Sequence, residues 1–222
     1  MREIFDPIER ASQIEALVMN GDTRKYYRFR YARFYGGICT ADAVGCNLLC
    51  DWGNGKCWNY ARNKNPATAD KFFSPQEVAD KLTTLSEKNR CHTFRVSGCE
   101  PFLGLATANH YFEVLQLLKE YHSCQIIIET NGIYLGAHPE LLARVPSGCT
   151  LRISLKGEDE AASERITGAR GAHALQMAAI QAASERNVRC RVAVMAGHCD
   201  ISKVAIPRNV SVEKEKLSGG RA

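Results

Sequence analysis

Cys46, Cys50 and Cys57 fall within twelve residues, in the run Val44-Gly-Cys-Asn-Leu-Leu-Cys-Asp-Trp-Gly-Asn-Gly-Lys-Cys-Trp-Asn59. Thiolates are soft ligands that select Fe–S clusters, Zn²⁺ or Cu(I) over hard cations. Three of them, rather than four, leave one metal position for an outside ligand, and an open position is where a metal centre does chemistry. Two plainer readings compete. One is a closed zinc site, which needs a fourth Cys or His such as His92, His198 or Cys199. The other is buried thiols without a ligand, the reading given to Cys91, Cys124, Cys149 and Cys190. The six histidines make no nucleophile–base arrangement, so a hydrolytic triad has no support.

The elements that must position these thiols follow a β/α alternation. Strands are expected at Gly37–Val44, Thr93–Ser97, Gln125–Thr130, Thr150–Leu155 and Arg189–Met195, with helical stretches between them. Ser74-Pro-Gln-Glu77 is a capping box with Pro at the first helical position, and Val78, Leu82 and Leu85 follow on one face. Tyr111–Tyr121 and the Ala-rich His173–Arg186 continue the pattern. An amphipathic helix occupies the first twenty residues and ends near Asn20-Gly21. Apolar, non-alternating strands argue for a parallel sheet covered by helices. A closed eight-fold barrel takes roughly 250 residues, more than the 222 here, so five to six units make an open, partial β/α barrel. A doubly wound sheet is the competing topology, and both place functional loops at the strand carboxyl ends. The division expected is an N-terminal helical and Arg/Tyr-rich extension over 1–35, the partial barrel over 36–200 and a polar tail over 201–222. Within that tail, Lys203-Val-Ala-Ile-Pro207 reads as a candidate sixth strand.

Polar residues beside glycines gather at the expected strand ends. The second strand runs into Ser97-Gly-Cys-Glu-Pro101, where Gly98 permits close backbone approach and Glu100 can accept hydrogen bonds from an ammonium group. The third ends in Glu129-Thr-Asn-Gly132 and the fourth in Ser154-Leu-Lys-Gly157. Glu100-Pro101 could also simply end a strand, and Asn131-Gly132 could be no more than a turn.

In this order the motifs resemble those of the radical S-adenosylmethionine superfamily. Its pattern is Cys-x3-Cys-x2-Cys after the first strand of a partial β/α barrel and Gly-Gly-Glu-Pro after the second. Cys46-Asn-Leu-Leu-Cys50-Asp-Trp52 matches the first part and Gly98-Cys-Glu-Pro101 the second, with Cys99 in place of a glycine. The spacing departs from the family: Cys-x3-Cys-x6-Cys, as though Gly53-Asn-Gly-Lys56 were inserted. Gly-Asn-Gly is turn chemistry and could loop out, returning Cys57 to the third ligand's place. Cys39 and Cys99 are the substitutes if it does not. The resemblance implies that Cys46, Cys50 and Cys57 hold three irons of a 4Fe–4S cluster and that S-adenosylmethionine chelates the fourth. Reduction then yields methionine and a 5′-deoxyadenosyl radical that takes hydrogen from a substrate. It further implies that Gly98, Cys99 and Glu100 meet the methionine amino group, with Asn131 a further cofactor-site residue. Ser154 and Lys156 would lie near the ribose or carboxylate, and Trp52 would border the adenine with the backbone near 194–196. A low-potential electron donor such as ferredoxin or flavodoxin is implied as partner. A degenerate, non-catalytic metal-binding member of the same fold is the alternative.

Charge and composition bound the rest. The net charge of +5 is mild, and part of it sits in Arg24-Lys-Tyr-Tyr-Arg-Phe-Arg-Tyr-Ala-Arg33. Interleaved Arg and Tyr can stack on and neutralise a nucleic acid. A strand with its aromatics packed inward is the favoured reading, because nucleic-acid binders usually carry a larger charge excess. Ten cysteines spread through strands and helices, with no secretory signal and no long apolar run, point to a reducing, cytoplasmic setting without a membrane span. The substrate is not legible.

Overall fold

The computed structural model describes residues 4–33, 36–68, 70–121 and 124–216. Asp6 caps the first helix, α1 (Pro7–Val18), accepting from the backbone N–H of Ile8 at 2.7 Å and Glu9 at 3.0 Å, with Pro7 at the first position. Ala11, Ile14 and Val18 bury against Val44 and Leu103, so α1 lies under the chain entering the cysteine loop. The helix ends two residues before Asn20, where the chain turns into β1 (Met19–Asn20).

The next strands are β2 (Thr23–Ala32), β3 (Ile38–Ala43), β4 (Lys71–Phe73), β5 (Thr93–Ser97), β6 (Gln125–Thr130), β7 (Thr150–Leu155), β8 (Cys190–Met195) and β9 (Ser211–Glu215). They form one open sheet in the order β1-β2-β3-β5-β6-β7-β8-β9, with β4 paired to β2. From β3 to β9 every pairing is parallel, and β2 adds to β3 antiparallel. The fold is thus mixed α/β with a mostly parallel open sheet. The sixth parallel strand is β9, which begins four residues beyond the end of the segment expected for it. Lys203-Val-Ala-Ile-Pro207 instead follows a short 3₁₀ turn at Ile201–Lys203, and Pro207 cannot donate to a ladder.

Helices connect the parallel strands: α2 (Tyr60–Lys64), α3 (Pro75–Asn89), α4 (Leu105–Glu120), α5 (Ile133–Ala137), α6 (Glu160–Thr167) and α7 (Ala172–Glu185). Ser74 and Glu77 close the capping box of α3 in both directions. One face of the sheet carries Ala41, Phe94, Val96, Ile126, Ile128, Leu151, Ile153 and Val192 into a core with α3, α4 and α7. Side chains alternate along a strand, so the residues between them face the other way. That face is charged. Asp42 takes Arg28 and Arg30 at 2.7 Å each, Arg95 meets Glu129 at 2.8 Å, and Arg152 links Glu129, Glu213 and Glu215. Among the described residues no helix is long and apolar enough to cross a membrane.

Candidate metal and cofactor site

β3 delivers the chain through Gly45 (φ +94°) into the cysteine loop. A Cβ at Gly45 would lie 2.7 Å from Ile14 Cγ2, so α1 and the left-handed conformation together require glycine here. The loop then docks on α6, with Leu49 N–H donating to Thr167 O (3.2 Å) and Asp51 N–H to Ile166 O (2.8 Å). From Cys50 to Cys57 the chain folds into a hairpin. Asp51 and Lys56 form an antiparallel bridge, Trp52 N–H donates to Gly55 O (2.8 Å), and Gly53 takes a positive φ. Cys57 N–H donates to Cys50 O at 3.0 Å, which closes the ladder. The inserted glycines therefore loop out and Cys57 returns opposite Cys50.

The three thiols share one apolar cluster with Leu48, Ile133, Ile166, Ala172 and Trp52. Cys46 Sγ accepts from Leu48 N–H at 3.4 Å and faces Asn131 Nδ2 at 3.9 Å, and Cys57 Sγ faces Asn63 Nδ2 at 3.8 Å. Donors aimed at sulfur stabilise thiolate and tune a metal bound to it. Burial, then the neighbouring Cys50 and Glu100, pushes the Cys46 thiol well above its ordinary range. A metal supplies the positive charge that lets such a thiol ionise. The donor set, its apolar surroundings and the N–H groups at two sulfurs fit an iron–sulfur cluster. Among the described residues no three or more His, Cys, Asp and Glu side chains close on a single ion; a four-iron cube spaces its thiolates more widely than one ion does. Of the two proposed substitutes, Cys39 lies in the main core, and Cys99 Sγ is met by Arg24 at 3.4 Å.

The turn after β5 is built from below. Arg24, fully buried on β2, donates to Pro101 O (2.8 Å) and Glu100 O (2.7 Å). Gly98 has φ +82° and its carbonyl accepts from Asn59 Nδ2. Burial pushes the Cys99 thiol up to about 12. The Glu100 carboxylate accepts from Phe102 N–H (3.1 Å), Asn131 N–H (2.6 Å) and the Thr130 hydroxyl. It thus ties the end of β6 to the turn after β5. Asn131 extends the tie, its Nδ2 reaching Asn47 Oδ1 at 2.7 Å, while Asn47 donates to Pro7 O of α1 at 3.2 Å. Gln176 of α7 braces the next two strand ends, donating to Asn131 O (2.7 Å) and Ser154 O (2.8 Å) and accepting from Lys156 N–H (3.3 Å).

Burial raises Glu100 to about 7 against its three hydrogen bonds, and burial lowers His110 to about 4. His110 sits between Tyr26 OH (3.0 Å) and Asp22 O (2.8 Å), so its proton is assigned to Nδ1. The two act in opposite senses. The raised carboxyl contributes stability that is full below pH 4.5 and lost as pH climbs through 7. The depressed imidazole contributes stability that is lost as pH falls from 6.5 to 4. Each contribution is about 3 kcal/mol, so they largely cancel. Urea denaturation of Glu100→Gln is expected to show stability that falls, between pH 7 and pH 4.5, by roughly 2 to 3 kcal/mol more than the parent's does. Parallel profiles would refute this assignment.

A cleft of about 650 Å³ opens at the carboxyl edge of the sheet between the cysteine hairpin and the loop after β8. Trp52, Arg165, Glu158 and His198 line it. Trp52 is half-buried, its ring 6.4 Å from that of His198, and its Nε1 is buried without a hydrogen-bond partner. Ser154 and Lys156 are partly exposed at the end of β7. The structure therefore links Cys46 to Asn131 and Asn131 to Glu100, keeps Gly98 and Cys99 in the turn that carries Glu100, sets Cys50 and Cys57 in the apolar cluster of Cys46, and places Trp52, Ser154 and Lys156 on strand-end loops. Sequence reading missed Arg24, Asn47, Thr130 and Gln176. Thr130 alone carried a signal, since it stands in the strand-end run Glu129-Thr-Asn-Gly132.

A mostly parallel, open β/α sheet carrying a three-thiol loop after its first parallel strand and a glycine–glutamate turn after its second defines the class as a partial β/α barrel. The chain belongs to the Radical SAM superfamily, whose model matches residues 42–203. Two solved structures share the fold. One is a structure of TYW1 with a lysine-pyruvate adduct bound, at TM-score 0.55 and 15% identity over 80% of this chain and 64% of that one. The other is native anSMEcpe with bound AdoMet, at TM-score 0.50 and 16% identity over 68% of this chain and 42% of that one. The chain thus spans less than two thirds of either. No curated protein matches it.

Proposed function

We propose that this protein is a radical S-adenosylmethionine enzyme in which Cys46, Cys50 and Cys57 hold a 4Fe–4S cluster. The observation that carries the reading is the hairpin that returns Cys57 beside Cys50, in the same apolar cluster as Cys46. With its cluster bound, the site would supply one-electron cleavage of S-adenosylmethionine to a 5′-deoxyadenosyl radical. The chain's own residues orient and shield. Leu48, Ile133 and Ile166 exclude water, and Asn63 and Asn131 aim N–H groups at sulfur. Glu100 and Gln176 fix the strand ends around the cleft, where Trp52 offers an aromatic wall. A low-potential donor, ferredoxin or flavodoxin, would deliver the electron.

A second reading, a metal-binding member without catalysis, draws on one observation. The Gly98 carbonyl and the Glu100 carboxylate, the acceptors assigned to the methionine ammonium, already take donors from the protein. Anaerobic reconstitution followed by reduction separates the two. 5′-Deoxyadenosine formed in proportion to S-adenosylmethionine consumed supports the enzyme. A full cluster, or zinc, without any cleavage supports the second reading.

A further inference from the structure

The Arg/Tyr strand leaves one group of side chains that the thiol site does not use. A bulge between Tyr26 and Arg28 turns Tyr26 and Phe29 into the main core, leaves Tyr27 half-buried against the α1 cluster of Val44 and Leu103, and leaves Arg28 exposed. Trp58, the residue after Cys57, is 54% exposed, the largest apolar side chain of the described residues left so open. Its ring lies 6.4 Å from that of Tyr27. The Arg28 guanidinium is 5.8 Å from the Trp58 ring and 5.6 Å from Tyr27, and Arg62 lies over Tyr27 at 4.2 Å. The Tyr27 hydroxyl is buried without a hydrogen-bond partner, while Arg62 Nε has Asp70 as its ion-pair partner at 3.5 Å. The same hydroxyl would lie 3.0 Å from a Cβ at Gly98, so the platform borders the turn after β5.

An exposed indole with the Arg28 guanidinium beside it, and Arg62 on the adjoining Tyr27 ring, suits a flat π-system carried on an anionic chain. Bases of single-stranded nucleic acid stack on aromatic side chains whatever their sequence, and guanidinium groups both stack and meet phosphate. A duplex hides its base faces and would leave Trp58 unused. We propose that Tyr27, Arg28, Trp58 and Arg62 form a landing surface for a single-stranded polynucleotide, presented to the adjoining thiol site. As an assignment of substrate class this rests on the reading of that site given above; as a binding surface it does not. Local charge is modest, because Asp42 is shared by Arg28 and Arg30 and Asp70 lies 3.5 Å from Arg62. Stacking therefore dominates over phosphate neutralisation.

Fluorescence anisotropy of the anaerobically reconstituted protein with labelled 12-nucleotide RNA and DNA single strands, and with the matching DNA duplex, tests the proposal. Both single strands are expected to bind more tightly than the duplex, and the better of the two names the polymer. The log–log salt slope should be shallow, about −1.4 for two phosphate contacts. Trp58→Ala should weaken binding about tenfold or more, Trp58→Phe should restore most of it, and Arg62→Gln should flatten the slope by about 0.7. Single-strand binding unchanged by Trp58→Ala, or variants that impair electron delivery from flavodoxin while binding nucleic acid normally, would overturn it. Iron content and 5′-deoxyadenosine formation measured on the same samples keep the two readings apart. Stacking-dependent binding without a cluster would retain the surface and reject the enzyme; a working cluster without such binding would do the reverse.

Discussion

Replacing Cys57 with alanine is expected to abolish reductive cleavage of S-adenosylmethionine, by on the order of a hundredfold or more, and to strip most of the iron. Loss of a partner that merely supports a metal ligand costs 10- to 100-fold, so loss of a ligand itself should exceed that range. The expectation depends on the hairpin. With Asp51 bridged to Lys56 and Cys57 N–H bonded to Cys50 O, the third thiol is fixed by backbone rather than by chance side-chain packing. Cys39→Ala is the matching control, because Cys39 lies on β3 within the main core, and it should leave iron content unchanged. Full iron and full cleavage in Cys57→Ala would show that another residue completes the site.

Arg24→Ala is expected to destabilise the fold by about 3–5 kcal/mol, the combined cost of a core cavity and of buried carbonyls left without donors. For a chain of this size that is roughly 10 °C in melting temperature. Arg24 holds Pro101 O and Glu100 O from beneath. Its removal should therefore also loosen the turn that carries Glu100 and weaken S-adenosylmethionine binding in whatever folded protein survives. Arg24→Lys can reach fewer of the acceptors, since a single ammonium replaces the guanidinium fork, and should fall between. A melting temperature for Arg24→Ala within a degree or two of the parent would contradict this role.

The sheet was readable from short β-branched and apolar runs, although only one face is apolar and Arg95 and Arg152 interrupt β5 and β7 on the other. β5, β6 and β7 begin and end where the sequence places them, and each ends in polar residues beside a glycine. The capping box at Ser74 was readable because it is a local hydrogen-bond exchange. β9 was not, because Ser-Val-Glu-Lys-Glu pairs on one side only and sends Glu213 and Glu215 to Arg152, so it reads as a solvated tail. β2 could be recognised as a strand but not placed, since its antiparallel register on β3 is shifted by a bulge between Tyr26 and Arg28. Helix α6 escaped notice for want of an apolar stripe, though Asp159 caps it and Gly168 ends it in the left-handed conformation. In the site, residue types with metal chemistry stood out and the braces did not. Arg24, Asn47 and Gln176 act through backbone carbonyls and amides far away in sequence, and no spacing rule reveals such partners.

The claim on which the enzyme reading turns is that the three thiols surround one cube with a position left for the cofactor. Iron analysis with electron paramagnetic resonance of the reduced, anaerobically reconstituted protein, recorded with and without S-adenosylmethionine, tests it most directly. The account predicts about four irons per chain and a spectrum that changes when S-adenosylmethionine is added. Zinc in place of iron, or a cluster whose spectrum is indifferent to S-adenosylmethionine, would contradict it.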